Sequence, residues 1–270
     1  MSLFNCHTHS CHSHDASGTI EEMINSAISG NLMGLAVTDH CDCEYSDNTK
    51  MMAEIEKSYN ETKALSKKYS DKLIISAGIE LGDALYAPGF AKRILQSYDW
   101  DVVLCSVHAV KLKNAEMPFS LIDFSSFDKQ MLNEYINQYF DELYFTAKEY
   151  DYDILCHLTV IFRYIKYKFK INTDIMNYMS EIEKILGEII RRNKVLEINI
   201  SGYDDGYLMP DIEIIKSYMK LGGKKFSLGN DSHKTEDVVK NIENVHELLK
   251  SLGINKLIYF IDRQEYYYDI

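Results

Sequence analysis

Eight short apolar runs punctuate the chain, and each but the last is followed by a stretch with helical periodicity. The runs are Leu3–His9, 33–40 (MGLAVTDH), 72–80 (KLIISAGIE), 101–108 (DVVLCSVH), 153–158 (DILCHL), 195–201 (VLEINIS), 225–233 (KFSLGNDSH) and 256–261 (KLIYFI). The helical stretches are Thr19–Gly30, Met51–Tyr69, Ala91–Ser97, Ser126–Tyr150, Thr173–Asn193, Asp211–Leu221 and Thr235–Leu252, with a loop of about 17 residues before the fourth. Thr19 and Glu22 have the spacing of a capping box, and Gly222, Gly223 and Gly253 are placed to stop helices. Strands that are apolar almost throughout, alternating with amphipathic helices, imply a parallel sheet covered by helices. This many βα units in 270 residues predict an α/β fold of the TIM-like barrel type. An open doubly wound sheet is the alternative, but no G-x-G-x-x-G turn follows the first strand.

The net charge is −12. Such a surface argues against a nucleic-acid partner, which needs clustered Lys and Arg. It leaves room for a small anionic substrate, because bound metal ions invert the local field. No run of about 20 apolar residues is present to span a membrane, and the first residues lack a basic flank and an apolar core of signal-peptide length. Six cysteines in 270 residues do not make a disulfide scaffold. The expectation is a cytoplasmic protein with reduced thiols. Oligomeric state is not legible; the run Tyr266-Tyr267-Tyr268 reads equally as an interface or as a barrel plug.

The chemistry-bearing residues fall at the ends of the apolar runs. His7 and His9 lie two apart in the first, so both imidazoles share a face. Later runs end in Asp39-His40, Glu80, His108 and Asp231-Ser232-His233, and His157 lies in the fifth. In a parallel barrel these ends converge on one rim. Imidazole and carboxylate together suit Zn, Fe or Mn. The set exceeds what one tetrahedral ion needs, so two to three divalent ions are expected, with Glu80 able to bridge two. His12, in a loop, and His246, in the last helix, are read as bystanders. Cys6, Cys105 and Cys156 are read as small packing residues, and Cys41-x-Cys43 lacks the second cysteine pair of a thiolate zinc site.

The ordered motifs H-x-H, TDH, GIE, SVH, CHL and D-S-H resemble those of the PHP (polymerase and histidinol phosphatase) superfamily, over residues 4 to 260. "GNDSH" and "LEINISG" resemble its stand-alone histidinol-phosphate phosphatase branch. The resemblance implies a single domain over 1–270, folded as a distorted (β/α)7 barrel with a trinuclear metal centre at the C-terminal rim. By position, His7, His9, Glu80 and Asp231 would hold the first ion. Glu80, His108 and His157 would hold the second. His40, His233 and Asp15 would hold the third, with His14 as the rival to Asp15. Asn5 replaces the usual first Asp of D-x-H-x-H and is expected to play a structural part. The stretch Ser201-Gly202-Tyr203-Asp204-Asp205 lacks the basic residue common in that branch, and Arg163 is the candidate phosphate clamp in its place.

The implied activity is hydrolysis of a small phosphorylated metabolite, L-histidinol phosphate to L-histidinol plus phosphate in histidine biosynthesis. A hydroxide bridging two ions would attack phosphorus in line. Asp39, His40 and Asp231 are candidate proton relays, and Glu80 is the bridging carboxylate. The competing readings are a phosphoesterase acting on another small phosphorylated metabolite or a nucleotide, a polymerase-associated exonuclease, and a non-catalytic metal-binding module.

Overall fold

In the computed structural model, which describes residues 3–43, 48–112 and 117–270, the apolar runs form a ring of parallel strands. They are β1 (Phe4–Thr8), β2 (Gly34–Val37), β3 (His40–Asp42), β4 (Ile74–Gly82), β5 (Val102–Ser106), β6 (Ile154–Leu155), β7 (Val195–Asn199) and β8 (Phe226–Gly229). The order round the ring is β1-β2-β4-β5-β6-β7-β8. β3 continues the β2 position after a break at Thr38-Asp39 and pairs with the upper half of β4, where His40 sits opposite Glu80. The ring closes between β8 and β1 through a short seam. His9 N–H donates to Ser232 O (2.8 Å) and Asp231 N–H to His7 O (3.0 Å), with a parallel bridge between Thr8 and Ser232. The fold is thus a near-closed seven-stranded α/β barrel, the TIM-like form expected.

Helices α1 (Ile20–Ser29), α2 (Asn48–Lys68), α3 (Pro88–Ser97), α4 (Lys129–Glu149), α5 (Met179–Arg191), α6 (Ile212–Lys220) and α7 (Val245–Ser251) alternate with the strands. α1 shows why they form. Thr19 and Glu22 close the capping box, and Ile20, Met23, Ile24 and Ala27 recur at helical spacing on the buried face. α4 starts at an Asp128 cap whose carboxylate accepts from Met131 N–H. In the expected loop at 109–125, residues 113–116 lie outside the described residues; the rest holds two 3-10 turns, Phe119–Leu121 and Phe124–Ser126.

Two expectations at the C-terminal end need correction. The helix expected over Thr235–Leu252 forms only from Val245. Asn230 donates its side-chain amide to the carbonyls of Asp237, Val238 and Lys240, and Asn5 donates to Val238 O (2.9 Å). Those carbonyls are diverted from a helical ladder, and Asn241 lies at φ 62. The expected last strand, 256–261, does form, as β9 (Lys256–Ile261), but it pairs antiparallel with β10 (Gln264–Asp269) rather than joining the ring. Asp262 and Arg263 both have positive φ, 50 and 60, which matches the tight hairpin turn whose twist suits flanking strands. The hairpin lies under the N-terminal ends of the barrel strands. Tyr259 stacks on Phe4 at 4.6 Å, Ser76 Oγ donates to Phe260 O, and Arg263 pairs with Asp153. Of the tyrosine run, Tyr268 is buried against Phe4, as in a plug, while Tyr266 and Tyr267 stay exposed.

Candidate metal centre

At the opposite mouth, the strand ends bring the candidate ligands together in three sets. In a tetrahedral site with ligand bonds of about 2.0–2.2 Å, donor atoms stand about 3.3–3.6 Å apart. In the first set His7 Nε2 and His9 Nε2 are 3.0 Å apart. Each lies 3.6 Å from Glu80 Oε2, and they lie 3.6 and 3.2 Å from Asp231 Oδ1. In the second, Glu80 Oε1 is 3.2 Å from His108 Nε2 and 2.8 Å from His157 Nε2, and the two imidazoles are 3.5 Å apart. In the third, His40 Nε2 and His233 Nε2 are 3.4 Å apart, with Asp15 oxygens at 3.5 and 3.4 Å. The spacings cluster round the edge of a metal tetrahedron, and Glu80 gives one oxygen to each of the first two sets.

The polar atoms themselves point to cations. Glu80 Oε2 and His40 Nδ1 are buried and have no hydrogen-bond partner, although they face each other at 2.8 Å. A buried carboxylate oxygen without a hydrogen bond is costly, and a divalent ion between such donors removes the cost. Burial opposes ionisation of Glu80, but the surrounding His108, His40 and His7 outweigh it and hold the carboxyl well below its ordinary range. Asp231 behaves likewise under His7, His9, His233 and Arg163. Burial and the neighbouring His40 and His233 push His9 down to about 3, so its imidazole is neutral and ready to ligate. The residues present therefore fit a cluster of divalent ions.

Both Asp15 oxygens approach the third set, 3.5 Å from His40 and 3.4 Å from His233; the His14 ring also stands beside it, 5.6 Å, centroid to centroid, from that of His40. Arg163 opens a π-helical segment, Arg163–Lys168. Its Nη2 donates to Asp231 Oδ2 (3.1 Å) and to Ser201 Oγ, which sets a guanidinium against the first set. Asp39 is placed differently from expectation. Its carboxylate is buried and accepts from Ser10 N–H, Ser10 Oγ, Ser13 Oγ and Ser58 Oγ. It anchors the loop after β1 and has no oxygen left for a proton relay. His12 is not a solvated loop residue either: it bridges Glu54 (3.1 Å) and Glu61 (3.0 Å) of α2. Asp204 pairs with Lys240 on the surface, so the acidic departure at 204 lies away from the rim. Cys156 donates its thiol to Cys105 O and to Glu80 Oε1, and burial, then Glu80 and Glu197, push the thiol's pKa up; its sulfur also stands within ligand reach beside His7 and His157.

Sequence reasoning missed two carboxylates behind the ligands. Asp42 Oδ1 lies 2.9 Å from His108 Nδ1, and Glu197 Oε1 lies 2.8 Å from His7 Nδ1. An acceptor on Nδ1 fixes the tautomer that leaves Nε2 free to ligate. Both could have been found by alternation: Asp42 is two residues from His40 on one strand face, and Glu197 is the one charge in the apolar run VLEINI. Two candidate ligands, His157 (φ 25) and Asp231 (φ 52), adopt left-handed backbone. That conformation costs on the order of 1–3 kcal/mol for a non-glycine residue and gathers at functional sites.

The sets open into a small cleft of about 90 Å³, with Asp15, Asp42 and Arg163 on its polar walls and Phe119, Val160 and Tyr164 on its apolar side. Known proteins resemble the whole chain. A "Probable histidinol-phosphatase" of Clostridium acetobutylicum is 26% identical over 261 residues, covering 95% of this chain and 96% of the relative. The "Histidinol-phosphatase" of Lactococcus lactis is 27% identical over 271 residues, covering 96% and 95%. A crystal structure of histidinol phosphate phosphatase from Lactococcus lactis, complexed with Zn, L-histidinol and phosphate, superposes with a TM-score of 0.79 at 23% identity, over 98% of this chain and 99% of that one. The sequence matches the PHP domain family over residues 5–201. That stretch is well over half of the chain and carries the first five of the six ordered motifs, and the chain belongs to the PHP domain family.

Proposed function

We propose that this protein is a metal-dependent phosphoric monoester hydrolase that converts L-histidinol phosphate to L-histidinol and phosphate, a step of histidine biosynthesis. The observation that carries the reading is the geometry of the three donor sets, linked through Glu80 and faced by Arg163 at the base of a small cleft. The full-length similarity to histidinol-phosphatases and the Zn, L-histidinol and phosphate in the Lactococcus structure narrow the substrate. The unit taken as functional is residues 1–270, since Asp231 and His233, beyond the matched stretch, belong to the same rim.

His7, His9, Glu80 and Asp231 would hold one ion, Glu80, His108 and His157 a second, and His40, His233 and Asp15 a third. When bound, the ions lower the pKa of water and neutralise phosphoryl oxygens. The chain's own residues do the rest. The Arg163 guanidinium, steadied by Asp231 and Ser201, presents a fork of donors to the phosphate. Phe119, Val160 and Tyr164 supply an apolar wall for the leaving group and narrow access of water to it. Asp15 and Asp42 also line the cleft, and their negative charge suits a cationic leaving group better than a nucleotide. His40 and Asp231, at the rim, remain the candidates to move a proton. Among the described residues no helix is long and apolar enough to cross a membrane. None of the six cysteines is in a disulfide, in keeping with the cytoplasmic placement that belongs to this proposal.

The test is phosphate release from a panel of phosphomonoesters and nucleotides, with the purified chain loaded in turn with Mn²⁺ and Zn²⁺. Histidinol phosphate should be hydrolysed with the highest kcat/KM. Preference for another ester would move the substrate within the same chemistry; no hydrolysis of any ester by the loaded protein would return the chain to a metal-binding module.

A further inference from the structure

β7 contributes no member of the three donor sets, yet its inward face carries Glu197 and Asn199, two residues apart, and Ser201 follows just beyond the strand end. Glu197 is completely buried. One of its oxygens, Oε1, lies 2.8 Å from His7 Nδ1, a ligand of the first set. The other, Oε2, accepts the backbone N–H of His157 at 2.6 Å and the Asn199 amide at 3.2 Å. His157 is a ligand of the second set, and its left-handed backbone needs an external hold. A single carboxylate therefore orients a ligand of each set from behind, as Glu80 joins the same sets from in front.

Space for this arrangement is made on β8. A Cβ at Gly229 would stand 2.3 Å from Glu197 Oε1 and 2.5 Å from His7 Cβ, so the glycine of "LGNDSH" clears the carboxylate's seat. The polar contacts continue through Asn199 Oδ1, which accepts from Ser201 Oγ, to Arg163 and back to Asp231 of the first set.

We propose that Glu197 is a positioning residue that couples the first two metal positions, so that the loss of its charge loosens both and not only the one that His7 serves. The proposal rests on the metal reading but not on the identity of the ester, since a chain that binds ions and ignores histidinol phosphate would leave it standing. The reason is geometric. An amide at 197 would turn its NH₂ either toward His7 Nδ1 or toward the His157 N–H, and one of the two ligands would lose its acceptor.

The experiment is a chelator-competition titration of the metal-free full chain with Zn²⁺, together with the visible spectrum of the Co²⁺-loaded protein. Glu197→Gln should weaken two of the sites by roughly 10–100-fold each, the scale for an altered outer partner of a ligand, and shift the Co²⁺ bands. Gly229→Ala leaves every donor in place and should loosen the same two sites by crowding Glu197 and His7; it carries the test if Glu197→Gln does not fold. Asp153→Asn, at the far mouth, is the comparator for mere destabilisation and should lower Tm with Zn²⁺ affinities unchanged. The idea is overturned if Glu197→Gln lowers only Tm, as Asp153→Asn does, or if it weakens one site alone.

Discussion

Glu80 has no exposed atom and faces His7, His9, His40, His108 and His157. Glu80→Gln keeps the shape and removes the charge from two donor sets at once. Its purified form should carry fewer metal ions per chain by elemental analysis, and should lose more than the roughly 10–100-fold in activity typical of a changed outer partner. His246→Ala should leave metal content alone. His12→Ala should cost about 1 kcal/mol through its lost pairs with Glu54 and Glu61, again with no loss of metal. Equal loss of activity in all three variants would sink the bridging role. Arg163→Ala should lower kcat/KM by roughly thirty- to a thousandfold, corresponding to about 2–4 kcal/mol. Metal should be retained, because Asp231 turns Oδ1 to the donors and Oδ2 to the guanidinium. A variant that sheds its ions would make Arg163 a support for the site rather than a clamp. Most of the ligand candidates were legible in the sequence because they lie at or near the ends of apolar runs, where parallel strands must converge; Asp15, in the loop after β1, was reached only through the family resemblance. Asp39 has the same position and a different part, for its serine partners Ser10, Ser13 and Ser58 come from a loop and a helix that no strand pattern announces. Asp42 and Glu197 were hidden because a residue that serves a ligand carries no motif of its own.

Elements with both faces covered, such as β2 and β5, are uniformly buried and read clearly from their apolar runs. Elements decided by distant partners did not. The stretch after β8 has the composition of a helix up to Leu252, but its first carbonyls belong to Asn230 and Asn5, from strand ends on either side of the barrel seam. Asn230→Ala should therefore destabilise the protein by about 1–3 kcal/mol, the cost of leaving buried polar groups unpaired, seen as a lower midpoint in urea. No change in the midpoint would mean that water replaces the amide without cost. The hairpin of β9 and β10 escaped notice because Asp262-Arg263 is not the Asn-Gly or Asp-Gly pair that announces such turns. Its role is legible only in three dimensions, where it caps the mouth opposite the metal centre.

Over the whole molecule, the histidine cluster makes the metal-free fold sensitive to pH in a definite direction. Burial disfavours protonation of His40, but Asp42 and Glu80 outweigh it and raise it to about 9. His7, His108 and His233 are raised as well, each by its carboxylate neighbours acting against burial. A raised folded value means stability that is fully present below the unfolded value of about 6.5 and is lost as pH climbs through the folded one. The Tm of the metal-free chain should fall from about pH 6.5 to about 9, while the gain in Tm on adding Zn²⁺ should grow, because ligation requires the deprotonated imidazole. A metal-free Tm that is flat or rising across that window would contradict the assignment. The short seam between β1 and β8 has a further consequence. Its backbone bonds are made by His7, His9, Asp231 and Ser232, and the first donor set draws on β1 and the end of β8 alike. An ion held there acts as a clasp across the place where the ring is least stitched, so breathing of the barrel and escape of the ion become one event. Hydrogen–deuterium exchange should detect it: on stripping the metal, the amides of His9 and Asp231 should lose protection before those inside β4 and β5.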